Sequence, residues 1–395
     1  MSIVSKRTGT DERAALFPAE LLPLFDDNFV LSWNLFEEYV ARLALQVFRS
    51  TGLAEAFVHE SSVQEALERS GLKRSIAQVP ATWIVSMLAS RGWIEVARGS
   101  NAHARYRLQR EAPVLDPAEI ARLQEVQDPR CLPSYRIAAL AAEQYPHVLR
   151  GEMSGEEALF GPEGISAWVK YFSNDNPLYA ISNAVGAIAA ERALPADGGT
   201  ILELGGGLGS GAQALLQRFA AVDRLSALTQ YRFTEVSALF LKRAERTLRA
   251  AYPHRNFEFA RLNIDRPFGE ANVVAGSCAL VYGVNVLHVA RDLAQTLREI
   301  RSCLRPGGRL LISECVRSFA GMPLHLEIVF NLLASFREPL LAPPWRPNGG
   351  FLSTEQWAAA FEANGFEDVV CYPDLSSIRD AYPSFAVATI VGTRV

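Results

Sequence analysis

One histidine, His288, closes an apolar run in the stretch VNVLHVARD, residues 284–292. Imidazole side chains titrate near neutral pH, so a histidine beside a reacting group is suited to act as a general base. The preceding run is typical of a buried strand, which would place His288 at the sheet end where open α/β folds bind ligands. The competing interpretation is a core histidine whose ring is satisfied by a backbone carbonyl.

A glycine-rich loop, ILELGGGLGSG at residues 201–211, lies between a predicted strand and a predicted helix. Glycine lets the backbone approach a ligand closely, and a helix N-terminus offers free N–H groups. These glycines fit a tight turn without a ligand, and Gly207, Gly209 and Ala212 also satisfy the dinucleotide pattern G-x-G-x-x-A. Glu203, however, would repel a pyrophosphate and suits a ligand that carries an ammonium and a sulfonium.

Glu203 and the glycines that follow it resemble the E/D-x-G-x-G-x-G signature of class I S-adenosylmethionine (SAM)-dependent methyltransferases, and LRPGGRLLISE resembles the turn before their fifth strand. The resemblance implies SAM as the cofactor. It also implies an acidic residue for the ribose hydroxyls at the last position of the second strand, which is Glu235 here, and Asn263, or alternatively Asp265, for the adenine. The expected cofactor residues are Glu203, Gly205, Gly207, Gly209, Glu235, Asn263, Asp265 and Asn285.

Four blocks within residues 200–366 resemble the C-methyltransferase domains of polyketide synthases: YRFTEVSALFLKRAE, NVLHVARDLAQTL, LRPGGRLLISE and GGFLSTEQWAAAFEANGF. Those domains pair the histidine with a glutamate on the next strand, where Glu314 lies here. Such a carboxylate would hold one ring N–H of His288 and stabilise the imidazolium. We therefore expect C-methylation, in natural-product biosynthesis, of a carbon acidified by a neighbouring carbonyl or thioester, as in a β-dicarbonyl or polyketide-like acceptor.

Other functions remain open from the sequence. Winged-helix O-methyltransferases follow the corresponding histidine with Asp-Trp, whereas this chain has HVA. O- or S-methylation of a small metabolite is the main alternative. A SAM-binding protein that does not methylate, and a SAM-sensing DNA-binding regulator, are the others. His288 and Glu314 would then have structural roles, in a carbonyl contact and a salt bridge.

The segment between Glu314 and Phe351 is expected to contact the acceptor, because it contains an apolar helix, HLEIVFNLLASF, and a proline-rich loop, REPLLAPPWRPNGG. Its arginines, Arg337 and Arg346, would bind a carboxylate or phosphate, or else remain solvated. His325 lacks a partner at metal-ligand spacing, so no metal site is expected. The candidate acceptor contacts, any of whose aromatic rings could instead be plain core, are Tyr171, Tyr179, Asn183, Phe330, Asn331, Arg337 and Trp345.

The elements that must position these residues indicate an α/β protein. From residue 200 onward strands and helices alternate, and two final strands, FEDVVCYP and SFAVATIVGTRV, are expected to pair antiparallel at a sheet edge. The predicted fold is a Rossmann-like, seven-stranded SAM methyltransferase domain with an N-terminal, mostly helical, winged-helix-like domain. The predicted division is a dimerisation domain at 1–112, a helical connector and lid at 113–196, and the methyltransferase domain at 197–395.

Bulk properties limit the partners. The 395-residue chain has a formal charge of −4 and a pI near 6, which offers no general attraction to nucleic acid or an anionic membrane. In the winged-helix-like unit, helices are expected to precede a β-hairpin. Its third helix, residues 79–91, would have to bind DNA and has only Arg91 for phosphates, although the hairpin has Arg98, Arg105, Arg107 and Arg110. Five widely spaced cysteines and no apolar leader indicate a cytoplasmic protein. The expected partners are a small-molecule or carrier-protein-tethered acceptor and a second copy of the chain in a homodimer.

Overall fold

The computed structural model describes residues 10–99, 104–108 and 113–395. The helices are α1 (Thr10–Leu16), α2 (Asp27–Ser50), α3 (Leu53–Ala56), α4 (Val63–Arg69), α5 (Arg74–Ser90), α6 (Pro117–Gln127), α7 (Leu132–Arg150), α8 (Gly155–Phe160), α9 (Pro162–Tyr171), α10 (Pro177–Ala193), α11 (Ser210–Ala221), α12 (Ala238–Ala251), α13 (Leu293–Cys303), α14 (Glu327–Phe330), α15 (Ala334–Arg337), α16 (Thr354–Ala363) and α17 (Leu375–Ile378). The strands are β1 (Glu95–Arg98), β2 (Arg105–Arg107), β3 (Gly199–Leu204), β4 (Leu228–Thr234), β5 (Phe257–Ala260), β6 (Cys278–Val284), β7 (Leu304–Cys315), β8 (Phe366–Tyr372) and β9 (Val387–Arg394).

The chain folds into two compact units. The first contains Asp26–Tyr171 and Gly321–Glu338, and the second contains residues 10–25, Phe172–Ala320 and Pro339–Val395. The segment 321–338 thus leaves the second unit to complete the first. The three-part division expected from the sequence stays a prediction.

The first unit is mostly helical. Asp26 begins α2 as an N-cap, because its side chain accepts the Phe29 N–H at 2.7 Å. The helices α2 to α5 are followed by an antiparallel hairpin of β1 and β2, in which Val96 lies opposite Tyr106. Helices followed by a hairpin agree with the expected order, although turn residues 100–103 lie outside the described residues. The winged-helix assignment and the dimerisation role stay predictions.

Polar contacts anchor the segment 321–338 within the first unit. The indole N–H of Trp83 donates to the carbonyl of Leu324 at 2.8 Å, and the hydroxyl of Tyr145 donates to the carbonyl of Ile328 at 2.8 Å. Buried aromatic rings of α2 meet His325 edge-on, and burial lowers the pKa of His325 to about 3. The apolar helix expected here forms two short helices, α14 and α15.

A sheet in the order β5-β4-β3-β6-β7-β9-β8 forms the second unit, counted over the described residues. The first five strands in this order are parallel, while β9 runs antiparallel to both β7 and β8. This arrangement confirms the α/β fold class and the antiparallel pair at the sheet edge. Strand β4 ends at Thr234, so Glu235 lies just beyond it rather than inside it.

Helix α10 packs closely on the sheet. A Cβ at Gly186 would lie 2.9 Å from both the Ser313 Cβ and the Tyr282 hydroxyl oxygen, so only glycine permits this approach. The capping box expected at the start of α16 is present, since Ser353 and Gln356 exchange side-chain and backbone hydrogen bonds. Among the described residues, no helix has the length and apolar character needed to cross a membrane.

Candidate active site

The candidate site lies at the carboxyl ends of the central strands of the second unit. Strands β4, β3, β6 and β7 are parallel neighbours in that order, so their carboxyl ends meet at one edge of the sheet. Glu203 is the penultimate residue of β3, and Glu235 directly follows β4. His288 lies in a short 3-10 helix after β6, and Glu314 is the penultimate residue of β7. The fold therefore brings the four ionisable candidates to the same edge.

The glycine loop after β3 needs glycine for two different reasons. Gly205 has φ +57°, and a Cβ there would lie 2.3 Å from the Val286 Cγ2. Gly207 also has φ +57°, but no described atom lies within 4 Å of its would-be Cβ, so the space beside it is open. Its N–H donates to Glu235 Oε2 at 2.9 Å. Gly209, with φ +88°, then begins α11. The loop is therefore held in place while leaving room for a ligand.

Two buried acidic side chains flank this loop. Glu203, only 1% exposed, accepts the Tyr231 hydroxyl hydrogen at 2.9 Å, and burial raises its pKa to about 8. Burial also raises the pKa of Glu235, whose Oε1 accepts the Ser237 N–H at 2.8 Å. A cation brought near such carboxyls would favour their ionised form. These acceptor oxygens therefore fit a cofactor that carries an ammonium and ribose hydroxyls.

A pair of asparagines lies beside Glu203. Asn183 Nδ2 donates to Asn174 Oδ1 at 2.8 Å, and Asn174 Nδ2 donates to the Ser210 carbonyl at 2.9 Å. Asn183 Oδ1 is buried, and no described residue donates a hydrogen bond to it. A Cβ on Gly211 would lie 3.0 Å from Glu203 Oε1 and 3.5 Å from this Asn183 oxygen. Two acceptor oxygens thus face the start of α11, an arrangement that suits a hydrogen-bond donor such as an ammonium.

The His288 ring is held by Glu314. Nδ1 of His288 lies 2.7 Å from Glu314 Oε2, and the two side chains are 2% and 0% exposed. Glu314 Oε1 accepts the backbone N–H groups of Val286 and Leu287 at 3.0 and 2.8 Å. With Glu314 acting only as an acceptor, the ring hydrogen lies on Nδ1 and the lone pair on Nε2. The Phe351 ring packs against the imidazole with centroids 4.6 Å apart.

The remaining expected cofactor residues lie after β5 and β6. Asn263 is exposed, and its Oδ1 accepts the Asp265 N–H at 3.0 Å. Asp265 Oδ1 accepts the Arg291 N–H at 2.8 Å. Asn285 has φ +49°, and its Oδ1 accepts the Cys315 N–H at 2.8 Å, which ties the ends of β6 and β7 together. The three side chains make structural contacts, and their cofactor roles stay predictions.

The expected acceptor contacts divide between the two units. Tyr171, Phe330, Asn331 and Arg337 belong to the first unit, whereas Tyr179, Asn183 and Trp345 belong to the second. Within the first unit, Arg337 donates to the Ile76 carbonyl at 3.2 Å. The rings of Tyr171 and Phe330 each pack against Trp168. Asn331 is buried. In the second unit, Trp345 is half-buried and Tyr179 packs against Phe172. Their acceptor roles stay predictions.

Two contacts to the His288 segment, by which we mean residues 286–291, could not be predicted from the sequence. Phe351 is an ordinary aromatic residue after a glycine pair, and nothing in the sequence predicts its stacking on His288. Arg346, expected to bind an anion or remain solvated, is instead fully buried and donates to the carbonyls of His288 and Ala290. Arg346 lies in the proline-rich loop and Phe351 directly follows it, so both contacts depend on how this part of the chain folds against the residues after β6.

Comparison with known proteins identifies the central part of the second unit. Residues 202–310 match the family model described as a methyltransferase domain. The chain is 28% identical over 287 residues to highly reducing polyketide synthase 2 of Gibberella zeae, covering 70% of this chain and 10% of that protein. It thus spans only a small part of the length of this curated relative.

Two solved structures share the fold. The CurJ carbon methyltransferase aligns with a TM-score of 0.75 at 20% identity, covering 98% of each chain. The trans-methyltransferase CalH, in complex with S-adenosylhomocysteine (SAH), aligns with a TM-score of 0.57 at 19% identity, covering 89% of this chain and 90% of that one. The chain therefore contains a methyltransferase domain, and it is similar in sequence to segments of polyketide synthases and in fold to a carbon methyltransferase.

Proposed function

We propose that this chain transfers the methyl group of SAM to an acidified carbon, as in a β-dicarbonyl or polyketide-like acceptor of natural-product biosynthesis. The observation that carries the proposal is the buried contact of His288 Nδ1 with Glu314 Oε2 at 2.7 Å, at the same edge of the sheet as the glycine loop. Methyl transfer to carbon needs removal of a proton, and an oriented imidazole supplies a base for that step. The similarity to polyketide synthases supports this acceptor class.

SAM would supply an activated methyl group when bound. We propose that Glu203 and Asn183 face its ammonium, because both present buried oxygens at the start of α11. We propose that Glu235 binds the ribose, because its carboxylate accepts the N–H of Gly207, a residue whose would-be Cβ faces open space. Further residues are proposed to line the same cofactor site because they lie at this edge of the sheet. They are Gly205, Gly209, Asn263, Asp265 and Asn285. The SAH bound in CalH, which shares the fold, is consistent with this cofactor.

In the proposed mechanism the proton on the acceptor carbon passes to Nε2 of His288. The electron pair left behind is delocalised into the neighbouring carbonyl. The same carbon would then bond to the methyl group as the bond from that methyl to the sulfonium sulfur breaks and SAH leaves. Glu314 keeps the Nδ1 hydrogen bond throughout and stabilises the imidazolium that results. Because Glu314 is also fixed by two backbone N–H groups, it holds the ring in one orientation. General-base catalysis of this kind contributes about 10²–10⁴-fold to the rate.

Several finer assignments remain part of this proposal. Within the second unit the proposed acceptor contacts are Tyr179 and Trp345, while Asn183 is proposed at the cofactor ammonium instead. For the first unit, the acceptor roles of Tyr171, Phe330, Asn331 and Arg337 stay predictions from the sequence. The acceptor is either free or tethered to a carrier protein, and the chain is proposed to form a homodimer through a winged-helix-like domain at 1–112. Sedimentation equilibrium tests the dimer, and a chain truncated before residue 113 that stays dimeric would contradict its proposed location.

The test uses [methyl-¹³C]SAM and the acetoacetyl thioester of N-acetylcysteamine as the acceptor probe. NMR of the product distinguishes a methyl group on carbon from one on oxygen or sulfur. We expect a carbon-bound methyl, and a loss of turnover in His288→Ala of about 10²–10⁴-fold. SAM affinity, measured by calorimetry, should be retained. His254→Ala is the control, because His254 is an exposed histidine of the same unit. An O- or S-methyl product, or normal turnover in His288→Ala, would contradict the proposal.

A further inference from the structure

Arg346 is a fully buried cation that bonds to the backbone of the His288 segment. Its Nη1 donates to the Ala290 carbonyl at 2.7 Å and its Nη2 donates to the His288 carbonyl at 2.9 Å. The side chain is 0% exposed. The planar guanidinium presents these two donors in a fixed fork, so it constrains both carbonyls relative to each other. A single ammonium could not reproduce that geometry.

The loop that carries Arg346 is itself fastened to the same segment. Arg346 and Ala342 exchange backbone hydrogen bonds at 2.8 and 2.9 Å, which closes a tight turn. The Leu340 N–H donates to the Arg291 carbonyl at 2.7 Å. Further along the chain, the ring of Phe351 packs on the imidazole. The loop therefore contacts the backbone on the carboxyl side of His288, and the residue that directly follows the loop, Phe351, contacts the ring.

Charges around the guanidinium explain why it stays ionised in this environment. Burial lowers the pKa of Arg346 to about 10, while the carboxylates of Asp265, Asp292 and Glu314 act in the opposite direction. At neutral pH Arg346 is therefore still a cation. Removing the guanidinium would leave the buried carbonyls of His288 and Ala290 without its two hydrogen bonds, so the arrangement is sensitive to substitution.

The two sides of the His288 segment are thus held by different residues. Glu314 binds the N–H groups of Val286 and Leu287 and the ring Nδ1, while Arg346 binds the carbonyls of His288 and Ala290. With Glu314 alone the ring would keep its partner, but the backbone that carries it could shift. A displacement of about 1 Å in a reacting group can cost about 100-fold in rate.

We propose that Arg346 is a positioning residue: it fixes the backbone of His288 so that Nε2 keeps its aim at the acceptor carbon, and it couples the proline-rich loop to the base. This inference rests on the proposed role of His288 as the general base. Arg346 itself touches no reacting atom, so its loss should lower kcat without changing how tightly the acceptor or SAM binds.

The experiment compares Arg346→Met and Arg346→Lys with wild type and His288→Ala, using SAM and the acetoacetyl N-acetylcysteamine thioester. The matched control is Arg232→Met, because Arg232 of β4 is also buried and donates to two backbone carbonyls, those of Ala271 and Asn272. Turnover, acceptor KM, SAM affinity and thermal midpoint are measured for each variant.

We expect Arg346→Met to lower kcat about 10- to 100-fold with acceptor KM and SAM affinity within about threefold. Arg346→Lys should recover part of this loss but stay at least about fivefold below wild type, because the ammonium lacks the fork. Arg232→Met should lose less than about threefold in kcat, even if its stability falls comparably. If Arg346→Met does not fold, Arg346→Lys decides the question by the same criterion.

Three results would overturn the inference. They are wild-type kcat in the Arg346 variants, a rise in acceptor KM at constant kcat, and an equal loss of kcat in Arg232→Met. Each would leave the function of His288 intact provided that His288→Ala is inactive. Wild-type turnover in His288→Ala would instead contradict the proposed base, so the two failures are distinguishable.

Discussion

Replacing Glu314 with glutamine is expected to reverse which ring nitrogen of His288 carries the hydrogen. Glu314 Oε1 accepts two backbone N–H groups, from Val286 and Leu287, at 3.0 and 2.8 Å. A glutamine can satisfy both only with its amide oxygen, so its NH₂ group must face Nδ1 of His288. The NH₂ group donates to Nδ1, and the neutral ring then holds its hydrogen on Nε2. That nitrogen can no longer accept a proton from the acceptor.

The structure sets the size of this effect. In the opposite orientation the NH₂ group would face two buried N–H donors and leave both unsatisfied, at about 1–3 kcal/mol each. The orientation in which the amide oxygen accepts both backbone N–H groups is therefore preferred by about 2–6 kcal/mol, which is more than enough to select one tautomer of His288. The rate should fall by about the full general-base contribution of 10²–10⁴-fold, or about 3–5 kcal/mol in the barrier. SAM affinity should change little, since the side-chain volume is kept.

Two assays separate proton removal from methyl transfer. Single-turnover transfer to the acetoacetyl N-acetylcysteamine thioester gives the overall rate, and exchange of the acceptor C–H with D₂O in the presence of SAH gives the base step alone. Both should fall together in Glu314→Gln, after subtraction of the rate without enzyme. Glu299→Gln is the control, because Glu299 of α13 also accepts a backbone N–H, from Phe268 at 2.8 Å. Wild-type rates of exchange and transfer in Glu314→Gln would refute the tautomer argument.

Further predictions concern the glycine loop, Glu203 and the cap of α16. Without cofactor, the stability that protonated Glu203 provides is fully present below about pH 4.5 and is lost as the pH rises through about 8, because burial raises its pKa. Glu203→Gln should therefore gain stability relative to wild type across this window, by up to about 5 kcal/mol, measured by urea unfolding at several pH values. A constant difference would contradict the raised pKa. Gly205→Ala should lower the unfolding free energy more than Gly207→Ala, because a Cβ at position 205 would collide with Val286. At position 207 the Cβ would face open space, so the cost should be only that of the backbone conformation, about 1–2 kcal/mol. Equal midpoints in denaturant would disprove the close approach of Val286. Ser353→Ala should lower the unfolding free energy by about 1 kcal/mol without changing turnover; an unchanged midpoint would show that the cap contributes little.

The order of elements in the second unit was predictable because its signals are local. Alternating strands and helices, and the glycine loop after a strand, depend on residues that are close in sequence. The same pattern places Glu203, Glu235, His288 and Glu314 at strand ends, and parallel strands bring such ends to one edge. The prediction that His288 lies beside Glu314 is therefore met by their 2.7 Å contact. Their catalytic roles remain for experiment.

What the sequence could not predict depends on contacts between distant residues. The helical pattern at 325–336 indicates a buried helix but not that the segment completes the first unit. The charge of Arg346 predicts a side chain that is solvated or binds an anion. Its loop instead folds so that the guanidinium binds two carbonyls of the His288 segment, 56 and 58 residues away. Hydropathy and periodicity report which face of an element is buried, whereas the partner of a buried polar group is decided only when the chain closes around it. The sequence alone therefore determined the fold class and the candidate residues, and the tertiary structure decided how the histidine is held.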